Sequence, residues 1–210
     1  MSFHTEVLSD EQLRILPCLA SFASAQGFYL GGGTAVALYL GHRTSLDFDW
    51  FSRKDMGDPL LLAQSARRSG LASTDIQTAP GTLHMLVDGV RISFFEYPYA
   101  EVDNALVLPE FSLELASLDD LGCMKLAAIA QRGSRKDFVD LFFIATEHKP
   151  IEEILHLYCQ KYSTSDIGHI LVGLTYFDDA DDEPSLVMLR EASWDNIKRE
   201  FQQWSRVLAG

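Results

Sequence analysis

Two aspartates separated by one residue constrain the fold of this chain more than any other feature of its sequence. Residues 46–51 read LDFDWF, so apolar and polar side chains alternate along them. Because successive side chains of a β-strand point to opposite faces, Asp47 and Asp49 share one face. The rise of a strand places them about 6 to 7 Å apart. Two neighbouring carboxylates repel each other, and this pair is suited to bind Mg²⁺ or Mn²⁺ through its oxygens.

A glycine-rich turn precedes the aspartates. Residues 28–30 (FYL) are predicted to form a short buried strand, and residues 31–33 (GGG) a turn that permits a positive φ. Thr34 fits the N-cap of a helix that continues to Leu40. Free N–H groups at a helix N-terminus bind anions, most often phosphate. A phosphate site next to a metal-binding pair is the arrangement that holds a metal–triphosphate complex.

Two segments of the chain resemble one enzyme family. Residues 32–52, GGTAVALYLGHRTSLDFDWFS, resemble the first motif of the nucleotidyltransferase AbiEii/AbiGii toxin family, a branch of the polymerase-β-like nucleotidyltransferase superfamily. Residues 125–141, KLAAIAQRGSRKDFVDL, resemble the family's second motif, a helix lysine followed by a helix start rich in Arg and Asp. A looser resemblance in element order extends from about Ser9 to His148. It implies an α+β fold with a small mixed β-sheet of nucleotidyltransferase type flanked by helices, and a helical bundle region towards the C-terminus.

The resemblance and the two motifs together predict a Mg²⁺-dependent nucleotidyltransferase. An NTP would bind as its magnesium complex, and an acceptor hydroxyl would attack the α-phosphorus and release pyrophosphate. Asp47 and Asp49 would hold the metal. The resemblance places Lys125 and Asp137 in the active site, where the lysine neutralises phosphate charge. The expected nucleotide-binding residues are Gly32, Gly33, Thr34, Arg43, Ser45 and Arg135.

Asp137 and Asp140 also have simpler structural interpretations. Ser134 and Asp137 form a capping box at the start of a helix, so capping alone could account for the carboxylate at position 137. Asp140 lies one helical turn further on, where it could pair with Arg135 or Lys136. The residues themselves leave both interpretations open, and the resemblance favours a catalytic role for Asp137.

The position where the superfamily commonly has a third metal-binding carboxylate is occupied by a serine. The dipeptide Asp88-Gly89 predicts a β-hairpin, and Ser93 on its second strand aligns with that carboxylate. A serine hydroxyl does not replace a carboxylate as a metal ligand. Glu96 is an odd number of residues away and points to the opposite face of the strand unless a bulge intervenes. Glu96 is therefore the weaker candidate for a third ligand.

The chain has 210 residues, enough for one large domain or for a catalytic domain with a helical appendage. We predict a nucleotidyltransferase-like α/β core over residues 1–112 and a helical region over residues 113–210 that completes the active site. No apolar run reaches the length of a membrane span, and the N-terminus lacks the pattern of a signal peptide. We therefore expect a cytoplasmic protein without membrane contact.

The net charge of −13 argues against an extended nucleic-acid-binding surface. It leaves room for a local basic cluster at Arg132, Arg135 and Lys136. Acidic residues concentrate at residues 178–183, DDADDE, which we expect to form a solvated loop.

Three functions are compatible with these features. A toxin of the resembled family is expected to have a cognate antitoxin. The serine at position 93 favours a catalytically weak homologue that binds a nucleotide or a partner protein. The acidic composition favours a nucleotidyltransferase acting on a small molecule such as an aminoglycoside. The sequence does not distinguish RNA, protein and small molecule as the acceptor.

Overall fold

The computed structural model describes residues 3–209, which form a seven-stranded mixed β-sheet flanked by helices. The strands are β1 (Tyr29–Gly31), β2 (Asp47–Ser52), β3 (Ser73–Ala79), β4 (Thr82–Val87), β5 (Val90–Glu96), β6 (Leu106–Leu108) and β7 (Leu113–Leu115). Their order in the sheet is β3-β4-β5-β2-β1-β7-β6. The pair β2–β5 is parallel and the pair β1–β2 is antiparallel, so the sheet is mixed as predicted.

Helices precede, interrupt and follow the sheet strands. They are α1 (Asp10–Ala25), α2 (Gly32–Leu40), α3 (Pro59–Arg68), α4 (Leu118–Arg132), α5 (Arg135–Glu147), α6 (Ile151–Lys161), α7 (Gly168–Gly173), α8 (Asp178–Asp182) and α9 (Trp194–Ala209). Within residues 3–209, none of them combines the length and the apolar character that crossing a lipid bilayer requires.

The central strand β2 separates the hydrophobic core from the open face of the sheet. Phe48 and Trp50 point to one side and are fully buried, whereas Asp47 and Asp49 on the other side stay partly exposed. The Trp50 ring stacks on Phe94 of β5 in the core. Burial of these large aromatic side chains fixes the register of β2, because a slip of one residue would place both carboxylates in the core.

Local sequence signals set several element boundaries. Ser9 and Gln12 form a reciprocal capping box at the start of α1, and that helix continues through Pro17. Asp58 caps α3, which begins at Pro59. The hairpin β4–β5 turns at residues 88–89, where both residues have positive φ. Each signal works because it satisfies backbone groups or permits a turn locally.

Two predictions about local structure are wrong, and strands β3 and β7 of the sheet were not predicted. The N-cap of α2 is Gly31 and Thr34 lies inside the helix, because the helix already begins at Gly32. Residues 178–182 form the short helix α8 rather than a solvated loop, and Asp181 accepts a hydrogen bond from Trp194 Nε1. This contact ties the acidic segment to α9.

The second half of the chain packs around α4 and α5. Phe138 of α5 is fully buried and meets the rings of Phe177, Trp194 and Phe201. The amphipathic helix α9 thus covers α5. Strand β7 lies just past the predicted boundary at residue 112 and belongs to the sheet through its pairing with β1. The division into two domains at that point stays a prediction.

Candidate active site

A cleft of about 530 Å³ lies beside the open face of the sheet. Asp49 lines it from β2, and Lys125 and Asp137 line it from α4 and α5. Gly32 and Gly33, at the start of α2, complete this polar end of the cleft. Two pairs of consecutive elements, α2 with β2 and α4 with α5, therefore bring predicted site residues to one place. The volume is in the range of small-molecule binding sites in proteins.

The two glycines permit close packing at the start of α2. Gly32 has φ +63°, and a Cβ atom built on it would lie 2.6 Å from Asp49 Oδ2. A Cβ atom on Gly33 would overlap Nη2 of Arg43. The first glycine lets the backbone turn directly against β2, and the second admits the guanidinium beneath the helix. A larger residue at either position would prevent this close packing.

Thr34 and Ser45 lie beneath the site rather than at its surface. Both are buried, and Thr34 Oγ1 lies 2.6 Å from Ser45 Oγ. Thr34 also donates a hydrogen bond to the backbone carbonyl of Asp47, so the Ser45 hydroxyl is the donor in their contact. The predicted contacts of these two hydroxyls with phosphate are not supported by this placement. Their hydrogen bonds instead hold the first residue of β2 against α2.

Lys125 and Asp137 form a buried ion pair. Lys125 Nζ donates to Asp137 Oδ1 at 2.8 Å and lies 2.7 Å from Asp140 Oδ2. Arg132 Nε and the Ser134 hydroxyl each donate to Asp137 Oδ2 at 2.8 Å. Ser134 therefore does not form the predicted capping box, because its hydroxyl binds the carboxylate and caps no backbone N–H. Asp137 orders the lysine that lines the cleft.

Asp140 connects this ion pair to the motif that precedes β2. It accepts hydrogen bonds from Arg43 Nε at 2.7 Å and Nη2 at 2.9 Å, and its Oδ1 lies 2.8 Å from His42 Nε2. The predicted partners Arg135 and Lys136 are wrong. Arg43 was expected at the phosphates, but it is only 4% exposed and its guanidinium faces Asp140. Arg43 is thus a buried partner of Asp140 and does not face the cleft.

The buried groups keep their charges because each carboxylate faces cations. Burial alone would raise the pKa of Asp137, but the charges of Lys125 and Arg132 outweigh it and the pKa lies below its ordinary value. Burial likewise opposes ionisation of Asp140, and Arg43 and Lys125 reverse the direction of that pKa shift. The pKa of Lys125 is raised, since both carboxylates outweigh its desolvation.

Asp49 differs from these carboxylates. Burial raises its pKa, the charge of Lys136 opposes the shift, and Asp47 adds to it. Ionisation of Asp49 is costly because of its burial and because the carboxylate of Asp47 lies beside it. A divalent cation bound to both carboxylates would offset this cost, so the two residues fit a Mg²⁺ ion. Within residues 3–209, no group of three or more His, Cys, Asp or Glu side chains is arranged to hold a metal. The site offers a pair of carboxylates.

Ser93 lies beside Asp49, at the position where the resemblance to the superfamily leads us to expect a third carboxylate. It is the register partner of Asp49 on the neighbouring strand β5, is buried, and contacts Nδ1 of His84 at 3.0 Å. Glu96 is partnered with Ser52 instead, and the register of β2 and β5 runs without a bulge. Glu96 therefore points to the opposite face from Asp49 and does not supply the missing carboxylate.

Cationic side chains flank the two aspartates. Arg91 Nη1 and Lys136 Nζ both lie 3.9 Å from Asp47 Oδ2, and both side chains are well exposed. Arg135 does not join them. Its guanidinium donates to the carbonyl of Ala180 and lies over the ring of Trp194, so the predicted nucleotide contact by Arg135 is not supported.

The cleft also has an aromatic lining, which was not predicted from the sequence. We call it the aromatic wall; its residues are Phe51, Phe95, Tyr97, Tyr99, Tyr158 and Tyr162. Tyr99 is 40% exposed and meets the rings of Tyr97 and Tyr162 at 4.9 and 4.8 Å. The run FFEYPYA at residues 94–100 was the available sequence signal.

Comparisons with known proteins identify the family of this chain and relate its fold to solved structures. A model of the family described as nucleotidyl transferase AbiEii toxin, Type IV TA system, matches residues 14–206. An uncharacterised protein of Aquifex aeolicus is 34% identical over 198 residues, which are 93% of this chain and 95% of the relative.

Two solved structures share the fold at low sequence identity. MenT4, a nucleotidyltransferase toxin from Mycobacterium tuberculosis H37Rv, is 13% identical with a TM-score of 0.59, and the match covers 93% of this chain and 86% of MenT4. The antibiotic-resistance factor ANT(2'')-Ia is also 13% identical with a TM-score of 0.54, and the match covers 72% of this chain and 91% of the factor. The chain belongs to the nucleotidyl transferase AbiEii toxin family of Type IV toxin–antitoxin systems and is a nucleotidyltransferase.

Proposed function

We propose that this protein is the toxin of a toxin–antitoxin pair and transfers a nucleoside monophosphate from an NTP to an acceptor hydroxyl in a Mg²⁺-dependent reaction in the cytoplasm. The observation that carries the proposal is the meeting of Asp49, Lys125 and the glycines of α2 in one cleft. A carboxylate pair, a buried ammonium and a helix N-terminus together suit a metal–triphosphate complex.

The residues of the site have different roles in the proposed reaction. Asp47 and Asp49 would hold the Mg²⁺ ion, which would supply charge stabilisation and orientation at the phosphates. The N–H groups at Gly32 and Gly33 bind phosphate oxygens, and Lys125 neutralises charge that develops on them. Asp137 fixes the ammonium in position through its 2.8 Å hydrogen bond.

The aromatic wall gives a place for the nucleobase. Bases stack on aromatic side chains regardless of sequence, which contributes about 1 to 3 kcal/mol per base. The residues assigned to the triphosphate and the side chains of Tyr97, Tyr99 and Tyr162 line the same cleft, so one NTP can contact both groups. The cations Arg91 and Lys136 beside Asp47 favour an anionic acceptor over a polycationic aminoglycoside.

The test uses α-³²P-labelled NTPs with MgCl₂ and three acceptor pools: total cellular RNA, total cellular protein and kanamycin. We expect label in one pool, its loss with EDTA, and loss of at least 1,000-fold in the Asp47→Asn, Asp49→Asn double variant. Calorimetry with each NTP, with and without Mg²⁺, checks binding separately. Binding without transfer to any pool would indicate the catalytically weak homologue, and transfer that survives EDTA would refute the metal assignment.

A further inference from the structure

A lysine whose side chain has no solvent exposure contacts the aromatic wall. Lys161, the last residue of α6, donates from Nζ to Asp120 Oδ1 at 2.7 Å and to the carbonyl oxygen of Ala100 at 2.8 Å. The same ammonium lies 5.4 Å from the centroid of the Tyr97 ring, within the range of a cation–π contact. Lys161 does not line the cleft, so it reaches a residue of the wall from outside the cleft.

The carboxylate partner of this lysine binds the same segment of the chain. Asp120 Oδ1 accepts a hydrogen bond from the backbone N–H of Val102 at 3.1 Å. Residues 97–103 follow β5 and include Tyr99 of the aromatic wall, which directly precedes Ala100. The ion pair therefore fastens this segment to α4 and α6 at two backbone positions, Ala100 and Val102.

Stability alone does not account for a charged pair at this place. Apolar residues of similar volume are often as stable or more stable at buried positions, because the desolvation of two charges offsets their attraction. Lys161 and Asp120 make hydrogen bonds that apolar side chains cannot make, one to a backbone carbonyl and one from a backbone N–H. Such bonds are directional, so the pair fixes the conformation of residues 97–103.

The rings that this segment carries meet the tyrosine next to the lysine. Tyr162 follows Lys161 in the sequence, its ring lies 4.8 Å from the Tyr99 ring, and its hydroxyl shares a hydrogen bond with the Tyr97 hydroxyl. All three tyrosines line the cleft. The anchored segment and the end of α6 thus determine together how these rings are presented to the cleft.

We propose that Lys161 and Asp120 are positioning residues for nucleotide binding, which hold Tyr97 and Tyr99 in the orientation that stacks on the nucleobase. The inference rests on the proposed NTP site. A ring that is already fixed in its binding orientation loses little conformational freedom when the ligand arrives, whereas a mobile ring loses part of the stacking free energy. Removal of the pair should therefore weaken binding of the base and leave binding of the phosphates unchanged.

The test compares two probes by calorimetry on the full-length protein with Mg²⁺. One is the NTP that the wild type binds most tightly, and the other is inorganic tripolyphosphate, which has the phosphates but no base. The double variant Lys161→Met, Asp120→Asn removes both charges, so neither is left unpaired in the interior. We expect its Kd for NTP to rise about tenfold, as for loss of one stacking contact, and its Kd for tripolyphosphate to stay within about twofold.

A neighbouring ion pair supplies the matched control. Lys149 Nζ lies 2.7 Å from Oδ2 of Asp119, the residue before Asp120 on α4, and neither member of this pair lines the cleft. Lys149→Met with Asp119→Asn makes the same two substitutions at the same helix. Both Kd values should stay within about twofold of the wild type, because this pair does not bind residues 97–103.

A milder variant and a kinetic measurement complete the test. Asp120→Asn alone keeps the shape of the side chain but gives Lys161 a weaker acceptor, so its Kd for NTP should rise about threefold while its Kd for tripolyphosphate is unchanged. In label transfer, the double variant should show a KM for NTP raised about tenfold and a kcat within about threefold of the wild type.

The outcomes distinguish the positioning role from the function on which it rests. Unchanged NTP affinity in the double variant would overturn the positioning role and leave the transferase intact. An equal loss of NTP and tripolyphosphate binding would also overturn it, because the pair would then support the whole cleft. Failure of the wild type to bind any NTP would overturn the proposed function and the positioning role together. Circular dichroism identifies the folded variants, and Asp120→Asn is judged by the same two Kd values if the double variant does not fold.

Discussion

Lys125 Nζ lies 2.7 Å from Oδ2 of Asp140, a carboxylate with no solvent exposure. The contact joins the lysine of the second motif to a side chain whose other partners belong to the first motif, since Asp140 also binds His42 and Arg43. The two motifs are therefore linked by one buried charge network rather than only by their common position at the cleft.

The first prediction concerns the stability that Asp140 supplies. Asp140→Asn removes the negative charge that faces Arg43 and Lys125, and breaking a buried ion pair in this way costs about 3 to 5 kcal/mol. We expect the free energy of unfolding in urea to fall by about 3 kcal/mol. The control is Asp195→Asn, because Asp195 is highly exposed and only 3.8 Å from Lys198; it should change stability by less than about 0.5 kcal/mol. Equal effects of both substitutions would contradict the network.

The second prediction concerns the loss of folding stability at acidic pH. The folded-state pKa values of Asp137 and Asp140 lie below the ordinary value, so the unfolded chain binds more protons than the folded chain in acid. Their contribution to stability is therefore complete above about pH 4 and is lost as the pH falls from there towards the lowered folded-state pKa values. Urea unfolding at pH 7, 5, 4 and 3 should show the midpoint dropping between pH 4 and 3. Asp140→Asn should show a shallower drop, and an equal drop would assign the acid sensitivity to other groups.

The third prediction concerns Gly33 in the first turn of α2. In most helices a Gly-to-Ala substitution stabilises by about 0.5 to 1 kcal/mol. At Gly33 the added methyl group would overlap the guanidinium of Arg43, so we expect Gly33→Ala to destabilise the fold by about 1 to 3 kcal/mol.

The matched control for this substitution is Gly168→Ala at the start of α7. Its nearest neighbour would be Asp166 Oδ1 at 3.4 Å, an ordinary contact, so the free energy of unfolding should stay within about 0.5 kcal/mol or rise. Thermal unfolding of both variants gives the comparison. A stabilised Gly33→Ala protein would show that Arg43 moves easily and does not need its observed position.

The fourth prediction concerns the aromatic wall. Tyr99→Ala removes a partly exposed ring, and loss of one stacking contact weakens nucleotide binding by about 1 to 3 kcal/mol, or roughly tenfold or more in Kd. Tyr99→Phe keeps the ring and should keep most of the affinity. Tyr176→Ala removes a tyrosine that is 48% exposed and lies outside the cleft, so it should bind NTP like the wild type. Calorimetry with Mg²⁺ and each NTP measures all three, and unchanged affinity in Tyr99→Ala would place the base elsewhere.

Short-range signals in the sequence predicted much of the fold. The alternation around Asp47 and the turn at residues 88–89 each depend on contacts within a few residues, and both are present in the structure. Strands β3 and β7 were not predicted. Strand β7 has only three residues, and β3 is largely exposed, so neither carries a strong apolar pattern.

Side-chain directions at the site were predicted less well. Asp47, Asp49, Gly32, Gly33, Lys125 and Asp137 were named from sequence, and the structure places them at or beside one cleft. Thr34, Arg43, Ser45 and Arg135 lie beneath the cleft or face away from it. A basic or hydroxyl side chain near a motif has several partners within reach, and the sequence does not say which one it meets.

The sequence by itself determined the nature of the chemistry, because the carboxylate pair and the glycine turn are fixed by strand alternation and backbone conformation over a few residues. Only the tertiary structure decided which charged and polar side chains pair with each other in the interior. Asp140 meets Arg43 across 97 residues, and Ser93 meets Asp49 and His84 through strand pairing. Burial forces each such charge to find a counter-charge or hydrogen bond, and that choice depends on where the folded chain brings distant segments together.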